Sequence, residues 1–224
     1  MSQDSDSNAA APQVKNKKVT KSSPTHFLAV QINNQEIIQK LANIQNEIKQ
    51  KLPVLEKVMV LPSKSHVTLF VMHLPNENDI EKAKEVLSSF EKFPESLQFT
   101  VQNINNFGKN VVFADINKDN DDFNKLKTLR NDLKNHFEEN GLNVSGKQEF
   151  QPHLTIMKIS KAAKKYQKKL KYKIPEESWI KYKEDEINFG VERVDTIQLN
   201  SMSGTNEDGT YYFVEKEVKL KNDL

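Results

Sequence analysis

The sequence predicts an α+β chain made of two strand–helix–strand halves related by a pseudo-twofold, and three observations predict it. The tetrapeptide HVTL at residues 66–69 returns as HLTI at residues 153–156, 87 positions later in a chain of 224 residues with only five histidines. Each copy sits in an apolar stretch of strand character that directly follows a long helical pattern. Between them the hydrophobic spacing switches between a period of about 3.6 and a period of 2, in the order that two such halves require.

The elements follow in order. Residues 1–24 are polar, low in aromatics and without periodicity, which predicts a disordered leader. Lys15, Lys17, Lys18 and Lys21 within it form a nuclear-import candidate, although a solubilising tail explains them more simply. The first strand is expected from Phe27 to Ile32. Ile37, Ile38, Leu41, Ile44, Ile48 and Leu52 then recur at helical spacing over residues 35–52, with Asn33 or Asn34 to cap the helix and Pro53 to stop it. The strand SHVTLFVM follows a loop containing Pro62. Ile80, Ala83, Leu87 and Phe90 mark a second helix closed by Pro94. Leu97–Gln102 and Val111–Ile116 read as strands joined through NINNFGKN, whose Asn and Gly residues suit a hairpin-like turn. Phe123, Leu126, Leu129, Leu133 and Phe137 give a third helix with Gly141 as its left-handed terminator. The strand PHLTIMKI comes next, then the lysine-dense KAAKKYQKKLKYK, a short helix from Pro175 bearing Trp179, and a final hairpin of Val194–Met202 with Tyr211–Val218 around GTNEDG. Residues 25–220 are thus expected to form the folded unit, with 221–224 a tail.

Composition removes several function classes. There is no cysteine, so no disulfide framework, thiolate nucleophile or Cys-based zinc site is available. No apolar run approaches the length needed to cross a bilayer and the N-terminus lacks a signal peptide, so a soluble protein of the cytoplasm, the nucleus or both is expected, without a membrane partner. Thirty-three basic residues against 31 acidic ones leave a net charge of only +2, so an anionic ligand must be recognised locally.

The doubled motif carries the chemistry. Side chains alternate along a strand, so His66 and Thr68 share one face while Val67 and Leu69 share the other, and the same holds for His153 and Thr155 against Leu154 and Ile156. The apolar pairs anchor each strand; an imidazole and a hydroxyl project together between the halves. With an unperturbed pKa near 6.5, one imidazole can accept a proton while another, held beside an anion, donates one. Two such groups flanking a phosphodiester permit acid–base cleavage, with the threonine hydroxyls on the non-bridging oxygens. A single His-x-Thr is more often packing, and it is the doubling that points to catalysis. Two histidines without a repeating acidic third ligand argue against a metal site, and no cofactor is called for. Phe107, Phe150 and Tyr211 are candidates for stacking on a base, with burial as the competing explanation for each. The lysine-dense stretch from Lys158 to Lys173 either contacts an RNA backbone or is a solvated surface. His26, His73 and His136 are expected to be packing or surface residues, with His73 opposite His66 if the strand stays regular.

The paired HVTL and HLTI, the second preceded by Phe150 and Pro152 in FQPHLTIMKIS, resemble the signature of the two-histidine (2H) phosphoesterase superfamily. FLAVQINNQEIIQKL, HVTLFVMHLPNENDI, NFGKNVVFADI and LNSMSGTNEDGTYYF resemble, in order, the nucleotide-binding central domain of A-kinase anchoring proteins, over residues 25 to about 220. The resemblance implies a bilobal LigT-like fold, two pseudo-symmetric lobes of antiparallel sheet with helices outside and a central cleft. It also implies metal-independent chemistry on 2′,5′-linked oligoadenylate or on related RNA and cyclic nucleotide linkages. Such anchoring proteins carry an amphipathic kinase-docking helix that is not evident here, because residues 35–52 are needed for the core. The expected activity is a phosphodiesterase in which His66, Thr68, His153 and Thr155 act on a nucleotide or short RNA. The alternatives are a non-catalytic AMP or RNA-end binding module and a scaffold in a signalling or RNA-processing complex.

Overall fold

The computed structural model describes residues 23–145 and 149–220. The leader up to Ser22, with its lysine cluster, and the four-residue tail lie outside the described residues. Nine strands and five α-helices are described: β1 (His26–Gln31), α1 (Gln35–Lys51), β2 (His66–Met72), α2 (Glu77–Ser88), β3 (Gln98–Phe107), β4 (Val111–Ile116), α3 (Asp121–Glu139), β5 (Val144–Ser145), β6 (His153–Lys158), α4 (Lys164–Lys169), α5 (Ile180–Glu184), β7 (Asn188–Arg193), β8 (Thr196–Thr205) and β9 (Tyr212–Lys219). They form two antiparallel sheets, a five-stranded one in the order β5-β2-β1-β8-β9 and a four-stranded one in the order β6-β4-β3-β7. Two strand–helix–strand units, β1-α1-β2 and β4-α3-β6, each contribute one copy of the repeated motif on their last strand.

The long helices form where the sequence places them because each combines a cap with an apolar stripe. Asn34, Asn76 and Asn120 cap α1, α2 and α3, each accepting a backbone N–H of the first turn through its side chain. Ile37, Leu41, Ile44 and Ile48 of α1 and Leu126, Leu129, Leu133 and Phe137 of α3 are buried. Gly141 ends α3 at φ +75°, with the Gly141 N–H donating to Glu138 and that of Leu142 to Phe137, the paired bonds of a Schellman motif. No described helix is long and apolar enough to cross a membrane.

Helix α1 packs against β7 of the four-stranded sheet although it joins two strands of the other. Gly190 permits the approach: at φ +133° its backbone is in glycine territory, and a Cβ there would stand 3.3 Å from Ile37 Cγ1. Beside it, buried Glu192 accepts the N–H groups of Asn33 and Asn34, each at 3.0 Å, and so ties β7 to the entry of α1. The core runs through both sheets, from Leu28 and Leu69 in one to Phe99, Leu154 and Phe189 in the other.

Several expectations need correction. β3 continues to Phe107 rather than ending near Gln102, so the connecting turn is only Gly108–Asn110. Strand β7 and the two-residue β5 were not foreseen. The helix after Pro175 is a 3₁₀ turn at Glu176–Ser178 followed by α5.

Candidate active site between the two sheets

Strands β2 and β6 approach each other across the space between the sheets, which brings the two copies of the motif to one cleft. Their local geometry is the same. In the pairing of β1 with β2, Leu28 faces Phe70 and Ala29 faces Thr68, so Leu69 is an extra, bulged residue. In the pairing of β4 with β6, Val112 faces Met157 and Phe113 faces Thr155, so Ile156 is the bulge. The fourth residue of each tetrapeptide is therefore the one that leaves the ladder. A bulged carbonyl still needs a donor, and a long polar side chain supplies one in each half. Nε of Arg130, on α3, donates to the Leu69 carbonyl at 3.3 Å, and Nε2 of Gln45, on α1, donates to the Ile156 carbonyl at 3.1 Å. Both side chains belong to buried residues.

The imidazoles are braced alike. Nδ1 of His66 donates to the carbonyl of Lys64 at 2.8 Å, and Nδ1 of His153 donates to the carbonyl of Gln151 at 2.8 Å. A neutral ring whose Nδ1 proton is committed in this way leaves Nε2 as its acceptor. Each ring is also gripped by two aromatics, one tilted and one edge-on. His66 packs against Phe27 at 4.9 Å and Tyr212 at 5.3 Å between centroids; His153 packs against Phe113 at 5.0 Å and Phe107 at 4.9 Å.

Burial among these rings disfavours the charged form of both histidines. It pulls His66 down to about 4, against the opposing pull of its bond to Lys64, and the charges of His153 and Lys158 push the same way. His153 is lowered for the same first reason, partly countered by its bond to Gln151 and by the negative charge of Asp115, its neighbour across the β4–β6 ladder. Both shifts favour the neutral ring near pH 7.

A cavity of about 330 Å³ opens beside the motifs, and Thr68, His153, Thr155, Phe107 and Phe150 of the anticipated set line it, with Lys158, Arg130 and Gln151. His66 is not among the lining residues, although Thr68 of the same motif is, and it lies close enough to His153 for the charge on that ring to push its pKa down. Phe150 stacks on Phe123 at 6.4 Å and lies 5.5 Å from the Arg130 guanidinium carbon. Tyr211 is only 3% exposed and is not in the lining, whereas its neighbour Tyr212 takes the place beside His66. Tyr211 closes the turn and Tyr212 opens β9, and the hairpin sequence does not fix which of the adjacent tyrosines begins the strand. Phe27 and Phe113, each on the strand paired with a motif strand, are not anticipated by the sequence, and Lys158, expected only as the start of a stretch facing RNA or solvent, lines the cavity.

The other histidines lie apart. His26 is buried with Nε2 3.6 Å from a Glu215 carboxylate oxygen, His136 packs on Phe90, and His73 bonds the Ser23 carbonyl just beyond the end of β2. The bulge at Leu69 removes the regular alternation on which the expected side of His73 depended. Among the described residues no group of three or more His, Asp or Glu side chains is placed to hold a metal ion.

With this geometry in view, comparison with known proteins is specific. Residues 24–220 match the family described as the AKAP7 2′5′ RNA ligase-like domain. The chain belongs to this family. As an AKAP7 2′5′ RNA ligase-like domain it falls within the 2H phosphoesterase superfamily. It is 32% identical over 218 residues to A-kinase anchor protein 7 isoform gamma of Homo sapiens, covering 93% of this chain and 61% of that protein, so it spans less than two thirds of the relative's length. Its fold is similar to that of E. coli LigT, solved with ATP (TM-score 0.57, 17% identity, 89% of this chain and 99% of that one). The protein TT0787 of Thermus thermophilus is similar in the same way (TM-score 0.60, 17% identity, 89% and 100% covered). The AKAP7-like domain thus has the LigT-like arrangement of two antiparallel sheets.

Proposed function

We propose that the domain is a metal-independent phosphodiesterase that cleaves 2′,5′-linked oligoadenylate, or a related RNA or cyclic nucleotide phosphodiester, by acid–base catalysis between His66 and His153. The observation that carries the reading is the identical bracing of the two imidazoles, Nδ1 on a carbonyl two residues upstream and Nε2 left for chemistry. Complexes of E. coli LigT, a protein of the same fold, with ATP and with 3′-AMP support a nucleotide ligand.

On a 2′,5′- or 3′,5′-linked chain the free hydroxyl vicinal to the linkage attacks phosphorus, whereas a pre-formed 2′,3′-cyclic phosphate, which has no such hydroxyl, is opened by water. His66 takes the hydroxyl proton at Nε2, a role suited to the ring that burial keeps most firmly neutral. His153 gives a proton to the departing 5′-oxygen, leaving a 2′,3′-cyclic phosphate and a free 5′-hydroxyl. Asp115 favours the charged form of His153, while Lys158 opposes it. A phosphate arriving beside Lys158 offsets that opposition, so the substrate itself helps to protonate the acid. The Thr68 and Thr155 hydroxyls donate to the non-bridging oxygens as charge builds there. Phe107 and Phe150, both in the lining, are the faces proposed for the base, and Tyr212 rather than Tyr211 supports the first histidine.

A second reading, binding of AMP or an RNA end without turnover, draws on the burial that favours the neutral form of both rings, because a binder needs no acid. One experiment separates the two. Purified protein is assayed with chelator against 2′,5′-linked, 3′,5′-linked and cyclic substrates, alongside His66→Ala and His153→Ala. Losses of roughly a hundred- to ten-thousand-fold in turnover are expected for each variant, with the fold retained by circular dichroism. Full activity in either variant removes the enzymatic reading, and saturable binding without product supports the second.

A further inference from the structure

The lysine-dense segment is not absorbed by the cleft chemistry. From Lys158 to Pro175 the chain carries eight lysines, at 158, 161, 164, 165, 168, 169, 171 and 173, and no acidic residue, so a protein of net charge +2 would be net negative without them. Lys161 is occupied, donating to the Met59 carbonyl. None of the eight forms a salt bridge among the described residues.

Their placement is ordered. A second cavity, of about 620 Å³, is lined by Lys109, Lys169, Lys171 and Lys173, with Glu176 and Glu177 among its remaining lining residues. Its lining and that of the cavity beside the motifs draw on one turn. Phe107 and Val111 line the first cavity and Lys109, between them, lines the second. Backbone bonds fix the basic segment to that turn: Ile159 N–H donates to the Asn110 carbonyl and Ile174 N–H to the Lys109 carbonyl, at 2.9 and 2.8 Å. At the rim Lys171 and Tyr172 are both left-handed, φ 52° and 57°, a conformation unfavourable to two consecutive non-glycine residues. The Tyr172 N–H bond to the Gln167 carbonyl at 2.8 Å holds the turn, and the Tyr172 ring is left 50% exposed among the lysines.

We propose that this lysine-lined cavity is a distal backbone subsite, and that the domain takes oligonucleotides whose chain runs from the His66–His153 cleft over the Gly108–Asn110 turn onto Lys169, Lys171 and Lys173. The proposal rests on the phosphodiesterase reading for its direction, and it names the substrate class as a chain longer than a dinucleotide. The lysines neutralise successive phosphates and the Tyr172 face receives an unstacked base. The turn shared with the cleft and the exposed aromatic favour nucleic acid over an anionic membrane, for which neither feature has a use.

The test compares a dimer and an octamer of 2′,5′-linked adenylate lacking the 3′-hydroxyls, which bind without being cleaved, by fluorescence anisotropy across a salt series. The wild-type chain is expected to hold the octamer roughly tenfold tighter or better than the dimer. Lys169→Ala/Lys171→Ala/Lys173→Ala is expected to erase that gap, leave the dimer unchanged, and flatten the log–log salt slope for the octamer by about 2. Equal affinity of the wild type for both lengths, or a triple variant that keeps the octamer preference, overturns the proposal. So does lysine-dependent binding to phosphatidylserine vesicles without any preference for the octamer. Cleavage of the unblocked octamer is read separately: its absence together with intact length dependence defeats the enzymatic reading and leaves the subsite standing.

Discussion

The carbonyl oxygen of Lys64 lies 2.8 Å from Nδ1 of His66, and that bond decides which nitrogen of the ring is free to work. With Nδ1 committed to the backbone, neutral His66 can accept only through Nε2. His153 repeats the arrangement with Gln151. A backbone acceptor fixes the tautomer without adding a negative charge, so burial remains the dominant influence on both rings.

Stability is expected to fall with acidification for this reason. The ordinary histidine value is 6.5, and the folded protein holds His66 at about 4 and His153 below its ordinary value. Between those limits the unfolded chain binds more protons than the folded one, so stability is full above pH 6.5 and is lost as pH drops through the folded values. His66 alone accounts for about 3 kcal/mol of this loss. Denaturant unfolding from about pH 7.5 to about pH 4 measures the slope, and His66→Gln should make it shallower; an unchanged slope would mean the ring is not buried in its neutral form.

Tyr212 is expected to act through its ring rather than its hydroxyl. Its edge contact with His66 at 5.3 Å and with Phe27 at 5.0 Å encloses the imidazole, and the Lys64 ammonium stands 5.3 Å from its centroid. Tyr212→Phe should leave the His66 titration in place. Tyr212→Ala admits water, moves that titration up toward the ordinary value and lowers turnover about tenfold. NMR titration of the His66 ring protons distinguishes the two variants.

The bulge donors are expected to differ in cost. Arg130→Met takes the guanidinium bond from the Leu69 carbonyl, and about 1–3 kcal/mol of stability should go with a buried acceptor left without that donor. Gln45→Leu is milder, about 1 kcal/mol, because the Ile156 carbonyl keeps the Val60 N–H at 2.9 Å and the Val60 carbonyl, which also loses its 2.6 Å bond from Gln45 Nε2, is only partly buried. Urea unfolding of both variants tests the order; a Gln45 variant less stable than the Arg130 variant would contradict it.

Much of this was legible beforehand, for identifiable reasons. The long helices were readable because Asn34 and Asn120 cap apolar stripes that must face a core, and the cleft was readable because a tetrapeptide repeated on strands has few uses. The aromatic collars were not. Phe27 and Phe113 reach the histidines through cross-strand register, which depends on bulges at Leu69 and Ile156 that leave no signal in residue type. Tyr212 was missed for Tyr211 because the hairpin sequence does not fix which of the two begins the strand. Strand β7, NFGVER, carries a central glycine and two charges, a pattern that argues against a strand until α1 is seen to need Gly190 under it.

Neither sheet is written in one piece. The backbone leaves the five-stranded sheet after β2, returns for β5, departs again for β6 and β7, and comes home with β8 and β9. Such lacing forbids the molecule from being cut into two self-sufficient modules, since any single break strands pieces of both. Melting should accordingly be one event for the entire body, and the distance between the two working rings is guarded by every seam at once.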